Sequence, residues 1–295
     1  MSGFKGGYNL KAEEYFDDLD KVYSSLGINK GDTLYIASNI TGFAMSFFKC
    51  TVGKKGNVDD FLNMFIDNLI NYLGKDGTIL IPVFNWDFCK GIEFIYEKTP
   101  GQTGSLGNWV LEKRKDFKRT FHPIYSFAVG GKDKDLLLSL KNKDSWGIDS
   151  PFHYLHKSQA KMLMINVDSG QCNTFEHYIE EMINVPYRYM KDFVGNYQIN
   201  GESERRVYRM YVRDLQYTSK QLSADRLYIE RGIMNCADCF NNTFRLLDLA
   251  ASVQVVAEDM FINKGRNFYE FDNYELDWKI GRTHKDDLIR VGDVS

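Results

Sequence analysis

Hydrophobic and polar positions along the chain fall into helical and strand-like periods that succeed one another. In residues 12–26, Tyr15, Leu19, Val22, Tyr23 and Leu26 recur at helical spacing and the pattern stops before Gly27. A turn, Asn29-Lys30-Gly31-Asp32, leads into the apolar run 33–37 (TLYIA), which reads as a buried strand and runs into a polar, glycine-containing loop at 38–42. A long helix is predicted at 59–73, closed by Gly74-Lys75-Asp76-Gly77, followed by a second buried strand at 78–84 (TILIPVF). Strand, helix, strand at spacings of a few tens of residues is the mark of an α/β unit. An irregular aromatic stretch at 85–99 precedes a glycine-rich loop, 101–107 (GQTGSLG), that opens a helix through Lys115. His122-Pro123 then leads into a strand at 126–129, and 161–167 (KMLMINV) is a third buried strand. Residues 207–212 alternate like a surface strand, with Tyr208, Met210 and Val212 on one face and Arg209, Tyr211 and Arg213 on the other. A helix with an apolar face is expected over 242–260, ending a single α/β domain of residues 1–270, with 271–295 a peripheral polar tail.

The pattern turns chemical after the third strand. Residues 173–188 read NTFEHYIEEMINVPYR, with Asn173 and Glu176 spaced as a helix-opening capping box. Phe175, Tyr178, Ile179 and Met182 would face the core. This puts His177 in the first turn of a helix, where the positive end of the dipole favours a neutral imidazole able to accept a proton. Glu180, three residues on, can orient the ring and stabilise the charge that forms on it. That is the arrangement of a general base, although a histidine there can also be purely structural.

Composition narrows the class. Of 295 residues, 43% are hydrophobic and 26% charged, the balance of a globular enzyme, and a net charge of −3 argues against a nucleic-acid partner. No apolar run is long enough to span a bilayer, so no membrane partner is expected. Five cysteines, an odd number, read as reduced thiols in a cytoplasmic protein. Cys236 and Cys239 have CxxC spacing but no second pair, so no metal is expected; Cys172, five residues before His177, invites a cysteine nucleophile as an alternative. A homo-oligomer is left open.

Four separated segments carry a resemblance. They are LGINKGDTLYIASNITG (26–42), DGTILIPVF (76–84), KRTFHPIYSFAVGG (118–131), and the stretch from Ser150-Pro151 through NTFEHYIEEMINVPYR. In this order, and over roughly residues 10–256, the chain resembles the aminoglycoside 3-N-acetyltransferase family, enzymes that move an acyl group from coenzyme A to an amine. The resemblance implies an α/β fold, a mixed central sheet flanked by helices, distinct from the commoner acetyltransferase (GNAT) fold. It also implies acyl-coenzyme A as cosubstrate without a metal, His177 as catalytic base and Glu180 beside it. It places Ser38, Gly104, Ser105, Gly107, His122 and Ser126 around the coenzyme.

The sequence departs from the family in its first loop. Antibiotic-modifying members usually read His-Ser-Ser there, whereas this chain has Ala37-Ser38-Asn39. The Ser-x-Ile-Thr version looks closer to members acting on sugar nucleotides. The leading expectation is therefore an acyl (acetyl or short hydroxyacyl) transferase acting on a nucleotide-linked amino sugar for surface polysaccharide. Arg188, Arg209 and Arg213 would meet its diphosphate, and Trp86 would offer a face to the base or sugar. The alternative acceptor is an aminoglycoside, a polycation that favours carboxylates. A non-catalytic coenzyme-binding relative is the third reading.

Overall fold

The computed structural model describes residues 10–51, 57–215 and 218–271; the expected C-terminal tail lies outside them, apart from its first residue. The chain opens with α1 (Ala12–Leu26), β1 (Thr33–Ser38), α2 (Ile40–Cys50), α3 (Val58–Leu73) and β2 (Thr78–Pro82). A two-residue strand β3 (Phe94–Ile95), α4 (Ser105–Lys113), β4 (Lys118–Arg119), β5 (Phe127–Gly131), α5 (Lys134–Ser139) and α6 (Pro151–Lys157) follow. Next come β6 (Lys161–Ile165), α7 (Ser169–Cys172), α8 (Phe175–Met182) and a long hairpin, β7 (Arg188–Ile199) and β8 (Glu202–Arg213). The described chain closes with β9 (Thr218–Gln221), α9 (Asp225–Glu230), β10 (Met234–Cys239), β11 (Asn242–Asp248), α10 (Leu249–Glu258) and β12 (Tyr269–Phe271).

Seven strands form one mixed sheet in the order β10-β11-β6-β1-β2-β5-β4. Its centre is parallel, β6 and β2 both running alongside β1, and its flanks are antiparallel. Because strand side chains alternate between faces, the sheet feeds two cores. Leu34, Ile36, Ile79, Ile81, Leu163 and Ile165 pack under α1 to α4; Tyr35, Ala37, Leu80, Met162 and Met164 face the opposite way, against α6, α8 and α10. This is the expected mixed α/β architecture. No described helix is long and apolar enough to cross a membrane.

Several local expectations are corrected. The loop expected at 38–42 is the end of β1 and the start of α2, because the Asn39 side chain accepts a hydrogen bond from Gly42 N (3.1 Å) and Ile40, Phe43, Ala44 and Phe47 then bury one face. The helix expected from 242 begins only at Leu249. Residues 242–248 are β11, turned back on β10 through Phe240 and Asn241, both at positive φ (51° and 57°). Asp248 then caps α10 through Ala251 N (2.9 Å). Arg188, read as the end of the helical motif, opens β7. The expected surface strand at 207–212 is half of a twelve-residue strand, paired to β7 across Asn200-Gly201, whose φ values of 53° and 83° suit a tight hairpin turn.

Candidate active site

The parallel strands β1, β2 and β6 end at one edge of the sheet. There β1 leads on to β2 on one side while β6 leads on towards β10 and β11 on the other, which opens a crevice between them. A cavity of about 450 Å³ occupies it, lined among others by Ser38, Phe84, Trp86, Gly104, Gly107, Cys172 and Thr174. Two glycines build its wall. A Cβ on Gly107 would sit 2.5 Å from Pro82 O, and one on Gly101 2.7 Å from Val83 Cα, so α4 and its preceding loop approach β2 as closely as they do only because these side chains are absent. Gly104, at φ 93°, leads into α4, whose start carries no side-chain cap. Its first amides are therefore available to anionic or carbonyl oxygens. This bare-backbone wall suits a ligand that carries phosphate or carbonyl oxygens.

Thr174, not the expected Asn173, holds the N-cap position of α8 without a side-chain cap bond and lines the cleft, and His177 follows within the first turn. α8 turns Phe175, Tyr178 and Ile179 inward, and with them two carboxylates, Glu176 and Glu180, both buried. Glu180 is 0% exposed. Its Oε1 accepts from Tyr187 OH (2.6 Å), and its Oε2 lies 2.8 Å from His177 Nδ1. Arg188 Nε stands 2.7 Å from the same Oε2 without hydrogen-bond alignment, so charge holds that pair. Burial alone would raise the pKa of Glu180. The Arg188 guanidinium and His177 outweigh burial and hold it at about 2.

With Glu180 ionised, the 2.8 Å contact requires the proton on Nδ1, because otherwise two lone pairs would face each other. Arg188 Nη2, which can only donate, also stands 2.8 Å from Nδ1; it makes no hydrogen bond to the protonated nitrogen and acts there as a positive charge. Nε2 makes no hydrogen bond among the described residues, and the ring keeps 18% of its surface exposed. Burial and then the Arg188 charge lower the His177 pKa below its ordinary value, against the opposing pull of Glu180. The imidazole is therefore neutral near pH 7, with its unprotonated nitrogen free. Arg188 itself is pinned by Tyr211 O and Tyr269 OH, both at 3.2 Å. Trp146 lies edge-on to His177 (5.7 Å between centroids) and packs on Tyr125, whose OH receives the Trp86 indole N–H (3.3 Å). This aromatic chain links the histidine to the cleft wall.

The remaining expected site residues divide. Ser38, Gly104, Gly107 and Trp86 line the cleft; Ser105, exposed at the start of α4, does not. His122 and Ser126 are buried away from the lining, contrary to a direct place beside the coenzyme. His122 Nδ1 accepts from the amides of Ile124 (3.2 Å) and Tyr125 (3.0 Å), and burial lowers its pKa to about 3. Ser126 donates to Val83 O (3.1 Å) and accepts from Arg119. Arg188 belongs to the His177–Glu180 network, and Arg209 pairs with Asp192 (3.0 Å). Arg213 stands opposite Arg188 in the hairpin register and has no carboxylate partner among the described residues. Cys172 donates its thiol to Asp168 O (3.1 Å), and burial, then nearby carboxylates, push its pKa up, which removes the thiolate a nucleophile needs. Among the described residues no His, Cys, Asp and Glu side chains group to hold a metal.

Residues missed in the sequence are Tyr187, Trp146 and the pair Asp144–Glu181. Burial raises the pKa of Asp144, and burial followed by the nearby Asp144 charge lifts Glu181 to about 8. Asp144 accepts from Trp146 N (3.3 Å) and borders a second recess of about 710 Å³, where Asp149, Asp192 and Glu204 face Lys143, Arg206 and Arg209.

A mixed α/β sheet with a buried carboxylate–imidazole pair at its parallel edge, beside a glycine-walled cleft, is the frame of an acyl-coenzyme A-dependent N-acyltransferase. The model of the aminoglycoside 3-N-acetyltransferase family matches residues 48–261, and the chain belongs to that family. No curated protein matches it significantly. Among solved structures it is similar to AAC-IIIb in binary complex with CoASH (TM-score 0.69, 14% identity, 86% of this chain and 97% of that one). It is also similar to sisomicin-bound AAC-VIa (0.67, 18%, 85% and 97%) and to the YokD protein from Bacillus subtilis (0.67, 20%, 88% and 96%). At these identities the likeness establishes the fold, without any GNAT character.

Proposed function

We propose that this protein transfers an acetyl group from acetyl-coenzyme A to an amine of a polycationic amino sugar of the aminoglycoside type. The observation that carries this reading is the His177–Glu180 pair, with Nδ1 committed to the carboxylate and Nε2 free. His177 Nε2 takes the proton from the acceptor ammonium or from the attacking amine. The amine nitrogen forms a bond to the thioester carbonyl carbon, the C–S bond breaks, and the leaving thiolate takes up the proton held on His177 Nε2. Glu180 holds the ring in one tautomer and stabilises the imidazolium, and Arg188 keeps Glu180 ionised. Backbone amides at the start of α4 or α2 are the candidates to meet the developing oxyanion. Bound coenzyme supplies the activated thioester; the chain supplies orientation and proton transfer.

The acceptor differs from the sequence expectation of a nucleotide-linked sugar. Of the arginines assigned to a diphosphate, Arg188 is locked on Glu180 and Arg209 on Asp192. Burial raises the pKa of Asp144 and Glu181, and an arriving ammonium would instead favour their charged forms, their protons passing to solvent. AAC-VIa, of like fold, is bound to sisomicin. Arg213 is the observation that keeps the sugar-nucleotide reading as second. A thiol-release assay with acetyl-coenzyme A decides. Turnover with sisomicin or gentamicin and none with nucleotide-linked amino sugars supports the proposal; the reverse preference overturns it.

A further inference from the structure

We infer that the recess on another face of α4 from the cleft is a binding site for a phosphate group, built on Arg119. This recess, about 510 Å³, is lined by Arg119, Lys98, Lys115, Lys118 and the Asn108, Leu111 and Glu112 stripe of α4. The cleft uses a different part of the same helix, Leu106 and Gly107.

Arg119 is only 5% exposed, yet its side chain meets neutral acceptors and no carboxylate among the described residues. Its Nε donates to Ser126 Oγ (2.8 Å), Nη2 to Val83 O (3.0 Å) and Nη1 to Thr99 O, while the guanidinium lies 4.7 Å from the Phe94 ring. Three neutral acceptors satisfy part of its five N–H groups and none of its charge. Burial lowers its pKa only to about 10, so it remains a cation at neutral pH. A buried charge without a counter-ion costs stability that a purely structural clamp would not need to incur.

The rim repeats the imbalance. Lys98, Lys115 and Lys118 form no ion pair among the described residues, while Arg114 is neutralised by Asp67 (2.7 Å) and Asp116 (2.9 Å). The recess's own acids are engaged elsewhere: Glu97 accepts from Asn200 N (2.8 Å), and Glu112 pairs with Lys113 (2.9 Å). One buried guanidinium and three unpaired ammonium groups suit a dianion with several acceptor oxygens, which is a phosphate monoester or diphosphate rather than a single carboxylate. Its source is either the phosphates of the donor coenzyme, which rests on the acyltransferase reading, or a free phosphate, which does not.

The test uses the full chain, the double variant Lys115→Ala/Lys118→Ala and Arg119→Lys, with melting curves confirming that each is folded. Titration calorimetry with inorganic phosphate and pyrophosphate is expected to show one site in the wild type. Affinity should fall about tenfold in the double variant, the scale of two lost charge contacts. Steady-state kinetics with acetyl-coenzyme A and with phosphate-free acetyl-pantetheine separates the sources. If the coenzyme phosphates dock here, the KM for acetyl-coenzyme A rises about tenfold in the double variant while that for acetyl-pantetheine is unchanged. Phosphate binding that weakens in the variants with both KM values unaltered supports a free-phosphate site. Should neither donor turn over, the acyltransferase reading fails and the phosphate isotherms still decide this one. Absence of anion binding by the wild type at millimolar concentration, or binding that the double variant leaves intact, overturns the inference.

Discussion

Glu176→Gln isolates the titration of one buried carboxyl beneath the site. Glu176 is 1% exposed; its Oε1 accepts from Tyr228 OH (2.9 Å) and Asn173 Nδ2 (2.9 Å), and its Oε2 from Gln221 Nε2 (3.3 Å). Burial, then the neighbouring Glu180 charge, raise its pKa from 4.5 to about 8 despite these donors. Below pH 4.5 both folded and unfolded states are protonated and stability is full. Between pH 4.5 and 8 the unfolded state binds fewer protons, so stability falls as pH rises, by 1.36 kcal/mol per pH unit in the limit; above 8 the loss levels off. The span amounts to ~5 kcal/mol, and at ~2–4 °C per kcal/mol for a chain of this size it is a melting shift of ~10 °C or more. Glutamine keeps the shape and the Oε1 acceptor but cannot ionise. In melting curves from pH 5 to 9, the variant should match the wild type at pH 5 and melt well above it at pH 9. Taking the difference between the two proteins cancels the pH dependence of every other group. Parallel curves, or a variant less stable at pH 9, would refute the assigned burial.

Three further outcomes are expected. Glu180→Gln strands the buried Arg188 charge and should cost ~3–5 kcal/mol of stability, with turnover falling as His177 loses its fixed tautomer; calorimetric melting and kcat check both. Gly107→Ala places a methyl 2.5 Å from Pro82 O, so α4 must shift, and KM for the acyl donor should rise more than melting temperature falls. Cys172→Ala should retain turnover within about twofold, because a buried thiol bonded to Asp168 O takes no part; an acyl adduct on Cys172 in intact-mass spectra would contradict this.

Much of the candidate site's geometry was legible in the sequence because its signals are local. The His177–Glu180 spacing, the apolar stripe of α8, the buried strands β1, β2 and β6, and the glycines at 101, 104 and 107 need only periodicity and backbone permissiveness. What escaped depends on contacts distant in the chain. Tyr187 and Arg188 reach back to Glu180 across the turn after α8, and Tyr269, brought in by β12 from far along the chain, fixes Arg188. The Asn200-Gly201 turn was a readable hairpin signal. The Phe240-Asn241 turn was not, since a phenylalanine at positive φ carries no turn signature and the next apolar positions read as helix. His122 shows the opposite error: a family-like motif pointed to a ligand, whereas its ring is spent on two backbone amides in the core.

The central claim is that His177 is the base of an acyl transfer to an amine. The most direct test is kcat for His177→Asn with acetyl-coenzyme A and an aminoglycoside acceptor, measured beside its melting temperature. Turnover should fall by ~10²–10⁴ while melting stays close to that of the wild type. Near-normal turnover in a folded variant would contradict the account.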